Sequence, residues 1–269
     1  MSYSEDDVRH LTEYLEENEE DSEKWHALGV ALTAVRRFDD AEDAFRKCIK
    51  IDNENAFAWG DLGGLYILRG KSKDAIKSLE KCVDIKPRQH EYWSFLGTAF
   101  LQCGKYKNAI RAFEKSISIQ PDYFEAWVSL GVTHNTMNSW NEAEKALRTA
   151  LEMDPENYTV LKALARSLMK SKQIEELEKT YLRMLELNPD DYNLYLYLGQ
   201  IEFNKGNSIE ALANYTKASR MEPESVMSWK LLGETLESMG KKEEAKMAFE
   251  IVKRLKKAKR DEPGDFIYF

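Results

Sequence analysis

Large apolar and small residues recur along this chain at an interval of 34. Trp25, Trp59, Trp93 and Trp127 stand 34 residues apart, and Trp229 lies three intervals further on. Three residues after each comes Leu-Gly (Leu28-Gly29, Leu62-Gly63, Leu96-Gly97, Leu130-Gly131, Leu232-Gly233), and Leu198-Gly199 follows Tyr195 in the same way. Alanines at 41, 75, 109, 143, 211 and 245 are each followed four positions later by Phe45, Leu79, Phe113, Leu147, Tyr215 and Phe249. Positions 4, 7, 8 and 11 of each unit therefore fall at i, i+3, i+4 and i+7, which is one face of an amphipathic helix. Gly70, Gly104, Gly206, Gly240 and Asn138 share one place between the two apolar stretches, where a left-handed helix end costs little. Prolines at 87, 121, 155, 189 and 223 keep the second stretch from running on. A weaker copy with Leu161, Leu164 and Ala165 fills the one gap in the series. The pattern predicts an all-α chain of seven two-helix units, at 22–55, 56–89, 90–123, 124–157, 158–191, 192–225 and 226–259. An acidic cap helix within 1–21 would precede them and an apolar tail, 260–269, would follow.

The run W-x-x-L-G-x-x-Y, then A-x-x-x-F, then P resembles the tetratricopeptide repeat (TPR), and the likeness covers 22–259 without an insertion. It implies antiparallel helix pairs stacked into a right-handed α-solenoid, with a concave groove and little said of chemistry. Gly or Ala at position 8 of a unit, with Ala at 20, would let helix backbones approach closely, which places the Trp series in the core between helices. No unit can bury its apolar face alone, so the two ends need separate treatment. Val8, Leu11 and Leu15 share one face of residues 5–18 with acids elsewhere, as a solvating cap requires. At the other end, Phe266, Ile267, Tyr268 and Phe269 follow Pro263-Gly264. Three fates are open to that tail: folding back over the last unit, docking into another copy to give a homo-oligomer, or lacking order.

Charge narrows the classes of partner. Residues 1–24 hold ten Asp or Glu and two basic residues, which accounts for the whole net charge of -8. The remainder is balanced, so a broad phosphate-binding surface is not expected and nucleic acid is excluded as a partner. The basic run from Arg254 to Arg260 reads as a cationic helix end or as an anion or membrane contact. Uncharged apolar stretches run to a few residues only, far short of the roughly 20 that span a bilayer. With an acidic N-terminus, this predicts a cytoplasmic protein without membrane contact. Cys48, Cys82 and Cys103 form no CxxC pair, so neither a disulfide framework nor a zinc site is expected.

No catalytic constellation emerges, and the expectation is a protein that is no enzyme and takes no cofactor. Gly64 to Ser72 ends in Gly-Lys-Ser, but it has five residues between its glycines where a P-loop has four, and it lies on a helix end. His10, His26, His90 and His134 are scattered without metal-ligand spacing, and His134 reads as a partly buried core residue. What remains is the groove, where the resemblance puts positions 2, 5, 6, 9, 12 and 13 of each first helix. The first four units then present Glu23, His26, Phe57, Asp61, Glu91, Phe95, Thr98, Gln102, Glu125, Ser129 and Asn135. The fifth presents Lys162, Arg166 and Lys170, and the sixth Asn193, Tyr197, Gln200, Phe203 and Asn204. Lys162, Arg166 and Lys170 at i, i+4 and i+8 stack like charges that repel by a few tenths of a kcal/mol per pair. Either neighbouring carboxylates offset them, or an acidic or C-terminal carboxylate segment of a protein or peptide partner does. The two-carboxylate clamp of chaperone-binding relatives is not matched, since Arg166, Tyr197, Met227 and Leu231 stand where its other residues belong. In the fifth unit Leu161, Leu177 and Met184 replace the Trp and two small residues, so that helix pair should be widened. The expected reading is a non-catalytic interaction scaffold with Phe57, Asp61, Phe95, Asn135, Lys162, Arg166, Lys170, Tyr197, Gln200 and Phe203 in its peptide-binding groove. A self-associating oligomer built through the tail is the alternative.

Overall fold

Ser4 starts the first helix through a reciprocal cap. Its hydroxyl accepts from the Asp7 amide (3.3 Å) while the Asp7 carboxylate accepts from the Ser4 amide (2.7 Å). The computed structural model describes residues 3–261, and among these every regular element is an α-helix. The chain divides into two compact units at Pro155 and Glu156. The first holds α1 (Glu5–Glu17), α2 (Ser22–Ala34), α3 (Phe38–Ile51), α4 (Ala56–Leu68), α5 (Ser72–Ile85), α6 (His90–Gln102), α7 (Tyr106–Ile119), α8 (Phe124–Thr136) and α9 (Trp140–Met153). The second holds α10 (Tyr158–Lys170), α11 (Ile174–Leu187), α12 (Tyr192–Lys205), α13 (Ser208–Met221), α14 (Val226–Ser238) and α15 (Lys242–Asp261). After α1, helices pair in sequence, and each pair turns on one left-handed residue: Arg36, Gly70, Gly104, Asn138, Lys172, Gly206 or Gly240, with φ between 60° and 86°. Arg36 and Lys172 carry no sequence signal for that conformation. They adopt it because both flanking helices are held by packing on either side of the turn.

Helix pairs close on a glycine facing a large apolar side chain. A Cβ built on Gly97 would lie 2.6–2.8 Å from three ring carbons of Phe113, and one on Gly63 would lie 2.5 Å from Leu79 Cγ. Phe45, Leu79, Phe113, Leu147 and Tyr215, each on the second helix of its pair, are at most 1% exposed. In α10 the corresponding residue is Ala165, and α10 and α11 make the most open of the pairs. The widening expected from Leu161, Leu177 and Met184 thus has an added cause, because Ala at this point is not equivalent to Gly. The α1 cap buries Val8 and Leu15 and leaves its carboxylates outside.

The tryptophans correct one expectation. Trp25, Trp59, Trp93, Trp127 and Trp229 pack at the margin of the core and are only half buried. Each indole N–H donates to a carbonyl six residues earlier, for example Trp93 Nε1 to Pro87 (2.9 Å) and Trp127 Nε1 to Pro121 (2.8 Å). An indole needs an acceptor, and here the acceptor lies on the surface loop leading into the helix. The period of 34 therefore marks a clasp between a first helix and the turn before it.

Two buried polar atoms lack partners among the described residues, the Tyr215 hydroxyl and His134 Nδ1. Tyr215 is 1% exposed where five of the other six pairs carry Phe or Leu. Tyr215→Phe is expected to raise stability by about 1 kcal/mol, read as a higher urea midpoint, because it removes a desolvated, unpaired hydroxyl. Burial holds the His134 imidazole below its usual 6.5, against the opposing pull of Glu142 and Glu114. The unfolded chain therefore binds a proton at His134 before the folded one does, and stability should decline as pH falls below about 6.5. His134→Leu, the residue at the same place in α2, α10 and α14, is expected to flatten that part of a stability–pH curve measured between pH 8 and 5.

Candidate functional site

In the first unit, α2, α4, α6 and α8 together form a groove of about 620 Å³. Its apolar lining includes Val30, Ala34, Ile67, Leu68 and Phe95, and its polar lining includes Asp61, Ser94, Thr98, Glu125 and Ser129. Leu68 is 69% exposed and Phe95 37% exposed, large apolar side chains held open to solvent on a rigid helical wall. Gly64 keeps the floor low: a Cβ there would meet the Phe95 ring at an ordinary 3.9 Å, so nothing but the missing side chain leaves the space.

Asp61 sits where three helices meet. Its Oδ2 is 2.7 Å from His26 Nε2 on α2, and its Oδ1 accepts from the Tyr92 hydroxyl of α6 at 3.4 Å. Burial, reinforced by the Asp61 charge, pushes the Tyr92 phenol well above its ordinary range, so it remains a donor. Tyr92 reaches Asp61 because Gly60 precedes it on α4; a methyl at Gly60 would overlap the Tyr92 ring. A row of rings runs beside the carboxylate, His26 to Phe57 (6.5 Å), Phe57 to Tyr92 (6.4 Å) and Tyr92 to Phe95 (6.1 Å). Lys86 Nζ lies 3.9 Å from the Phe57 ring centre. Phe57, 39% exposed, is thus already covered on one face by a cation.

Asn135 departs from the expected groove. It is 3% exposed and engaged within the protein, because position 12 of a first helix lies on the flank of the exposed face, where Ile67 and Leu101 are also half buried. Leu68 and Tyr92 went unread in the sequence. Leu68 occupies position 13, a place already assigned to the groove, so its signal was available. Tyr92 lies outside the groove positions, and only its fit over Gly60 brings it to Asp61.

The second unit has a different face. Lys162, Arg166 and Lys170 are exposed along α10, and among the described residues none of them has a carboxylate within ion-pair distance. Of the two ways of offsetting their repulsion, neighbouring carboxylates are therefore not the one seen. Tyr197 on α12 is 49% exposed and stacks on Tyr181 of α11, with ring centres 5.3 Å apart. Gln200 donates to Asn204 at 3.0 Å. Phe203 is half buried against this unit's core and does not stand free in a groove. Glu202 beside it is tied up by Lys205 (3.0 Å) and Asn207 (2.6 Å), while Lys205 also reaches Glu178 (2.6 Å).

Phe266, Ile267, Tyr268 and Phe269 lie outside the described residues. Among the described residues no group of three His, Cys, Asp or Glu side chains could hold a metal ion. No described helix is long and apolar enough to cross a membrane. Cys48 and Cys82 are buried, and burial pushes their thiols up to about 11 and about 12, away from reactivity.

Paired helices in which a position-8 glycine faces a large apolar side chain define a helical-repeat protein. Tetratricopeptide repeat models match residues 32–98 and 136–200, and a further TPR repeat model matches 97–138. The chain belongs to the tetratricopeptide repeat family. Among solved structures it is similar to MamA, at 24% identity over 62% of this chain and 92% of that one, with a TM-score of 0.59. It is also similar to YrrB, described as a TPR protein with an unusual peptide-binding site, at 20% identity over 68% of this chain and 94% of that one (TM-score 0.60). The pilF protein of Pseudomonas aeruginosa aligns at 16% identity over 79% of this chain and 97% of that one (TM-score 0.61). At such identities the likeness concerns the fold alone. No curated protein matches the chain.

Proposed function

We propose that this chain is a non-catalytic scaffold of the cytoplasm that binds segments of partner proteins on the exposed faces of its first helices. The observation that carries the reading is the groove of the first unit, where Leu68 and Phe95 stand open beside Asp61. Exposed apolar side chains grouped in a concave, preformed site gain free energy only when something covers them. The peptide-binding site named for YrrB accords with this use of the fold. In the second unit, Lys162, Arg166 and Lys170 would take an acidic or carboxylate-bearing segment, with Tyr197 and Gln200 beside them. Charge reversal at all three should weaken binding of such a partner and reduce its salt dependence, since exposed charges are screened within about 8 Å at physiological ionic strength.

A photo-reactive residue placed at Leu68 in the intact chain tests the reading. Discrete adducts are expected from position 68 and not from the exposed Lys77. The partner so found, once purified, should lose at least about tenfold in affinity on Leu68→Ser, as anchor residues do. Adducts of the same pattern from both positions would defeat the proposal.

A second reading has one observation in its favour. Phe249 is only half buried, although its counterparts in five other pairs are at most 1% exposed, and among the described residues no further helix pair packs over it. Lys242, Lys246, Lys253, Glu237 and Glu250 line a shallow pocket with it. The 266–269 stretch of a second copy could cover this end and give a homo-oligomer. Sedimentation of the intact chain and of Phe266→Ser/Phe269→Ser decides it: a mass that rises with concentration only in the parent supports the oligomer, and identical masses remove the tail from any such role.

A further inference from the structure

We infer that the groove of the first unit selects a partner segment in which a large apolar side chain is flanked by Lys or Arg. The inference rests on the reading of that groove as a binding site and specifies its ligand.

The space and its floor come first. A volume of about 620 Å³ falls within the range of preformed ligand sites, and Leu68 with Phe95 supplies the apolar contact. The charged side chains of the lining itself have one sign. The groove lining contains two carboxylates, Asp61 and Glu125, and no Lys or Arg. Glu23 and Glu91 hold the same repeat position as Glu125, on α2 and α6. Among the described residues, neither Glu23 nor Glu125 has a cation within ion-pair distance, and Glu91 has only His90 (3.3 Å). Lys86 is engaged over the Phe57 ring, and His26 is engaged with Asp61.

Asp61 shows how a cation would be held. A carboxylate offers about four acceptor positions. His26 occupies one and the Tyr92 hydroxyl contacts another, so acceptor capacity remains for an incoming ammonium or guanidinium. Because His26 and Tyr92 fix the carboxylate in place, no side-chain freedom is lost there on binding. Charge-assisted hydrogen bonds are also stronger beside an apolar wall than in open water. An acidic segment laid in the same groove would meet carboxylates from two helices, α4 and α8, so the site discriminates by repulsion as well as by attraction.

Selection from a phage-displayed library of random dodecapeptides on the intact chain tests this. The expected outcome is enrichment of sequences with Lys or Arg next to Leu, Phe, Ile or Met. A synthetic copy of the leading peptide should bind at least about tenfold more weakly to Leu68→Ser, to Asp61→Asn and to the double variant Asp61→Asn/Glu125→Gln, and more weakly as salt rises. Leu68 and Glu125 are exposed, so their variants keep the fold, and circular dichroism checks Asp61→Asn; if that variant unfolds, Glu125→Gln carries the charge test. Peptides that depend on Leu68 but carry no excess of cations, or that ignore the carboxylate variants, overturn this inference and leave the groove as a binding site. Peptides that bind Leu68→Ser as well as the parent, or no selection above the Leu68→Ser background, overturn the groove reading itself.

Discussion

Phe113→Ala is expected to lower stability by about 3–5 kcal/mol, whereas Phe249→Ala, the same change at the same repeat position, should cost less than about half of that. Both rings face a glycine across their helix pair, Gly97 and Gly233 respectively. Phe113 is fully buried, with α8 packed over α7, so deleting its ring forfeits the whole transfer term and leaves a cavity that the next pair cannot collapse into. Phe249 is half buried and open to a shallow pocket on α15, so part of its surface is in water already and the space left fills with solvent. Urea titrations of the two variants beside the parent check this. Equal losses would mean that something covers the end of α15 in solution.

The second large effect comes from two glycines whose helices read alike. Gly97→Ala is expected to cost about 2 kcal/mol and Gly64→Ala to gain up to about 1 kcal/mol. In an exposed helix interior, Ala is better than Gly by about 0.8–1.0 kcal/mol. At Gly97 that gain is outweighed, because the new methyl would sit 2.6–2.8 Å from three atoms of the buried Phe113 ring, and overpacking of that kind costs about 1–3 kcal/mol or more. At Gly64 the nearest atom is 3.9 Å away, so the propensity gain survives. Thermal midpoints should move in opposite directions. If Gly97→Ala were neutral, the close approach of α6 and α7 would not be what holds that pair. Gly64→Ala also raises the groove floor by a methyl, which makes it a folded variant for binding measurements.

Much of this was legible in the chain itself, for physical reasons particular residues make plain. The helix pairs and their turns at Gly70, Gly104 and Asn138 follow from short-range geometry. A 3.6-residue period and a left-handed turn leave their mark on nearby positions. Trp93 shows the limit of that reading. Its spacing marked it as structural, but its hydrogen bond to Pro87 and its place at the core margin depend on where the preceding turn comes to lie. Arg36 and Lys172 show it again, since their left-handed backbone is imposed by the helices on either side.

The candidate site divides along the same line. Repeat positions pointed to side chains left open to solvent, and Phe57, Asp61, Phe95, Lys162, Arg166, Lys170 and Tyr197 are exposed or half exposed. Asn135 was misassigned because its flank position is covered by neighbours that the periodicity of one helix does not register. Tertiary structure alone brought His26, Asp61 and Tyr92 from three helices to one point, and it alone left Lys162, Arg166 and Lys170 without a carboxylate at ion-pair distance among the described residues. By itself, then, the sequence determined the repeat, its period and the glycines on which the pairs close, because backbone sterics act between residues close in the chain. Packing between helices decided which side chains meet, which polar atoms go unpaired and which apolar faces stay open, because those outcomes depend on distances between residues that are far apart in sequence.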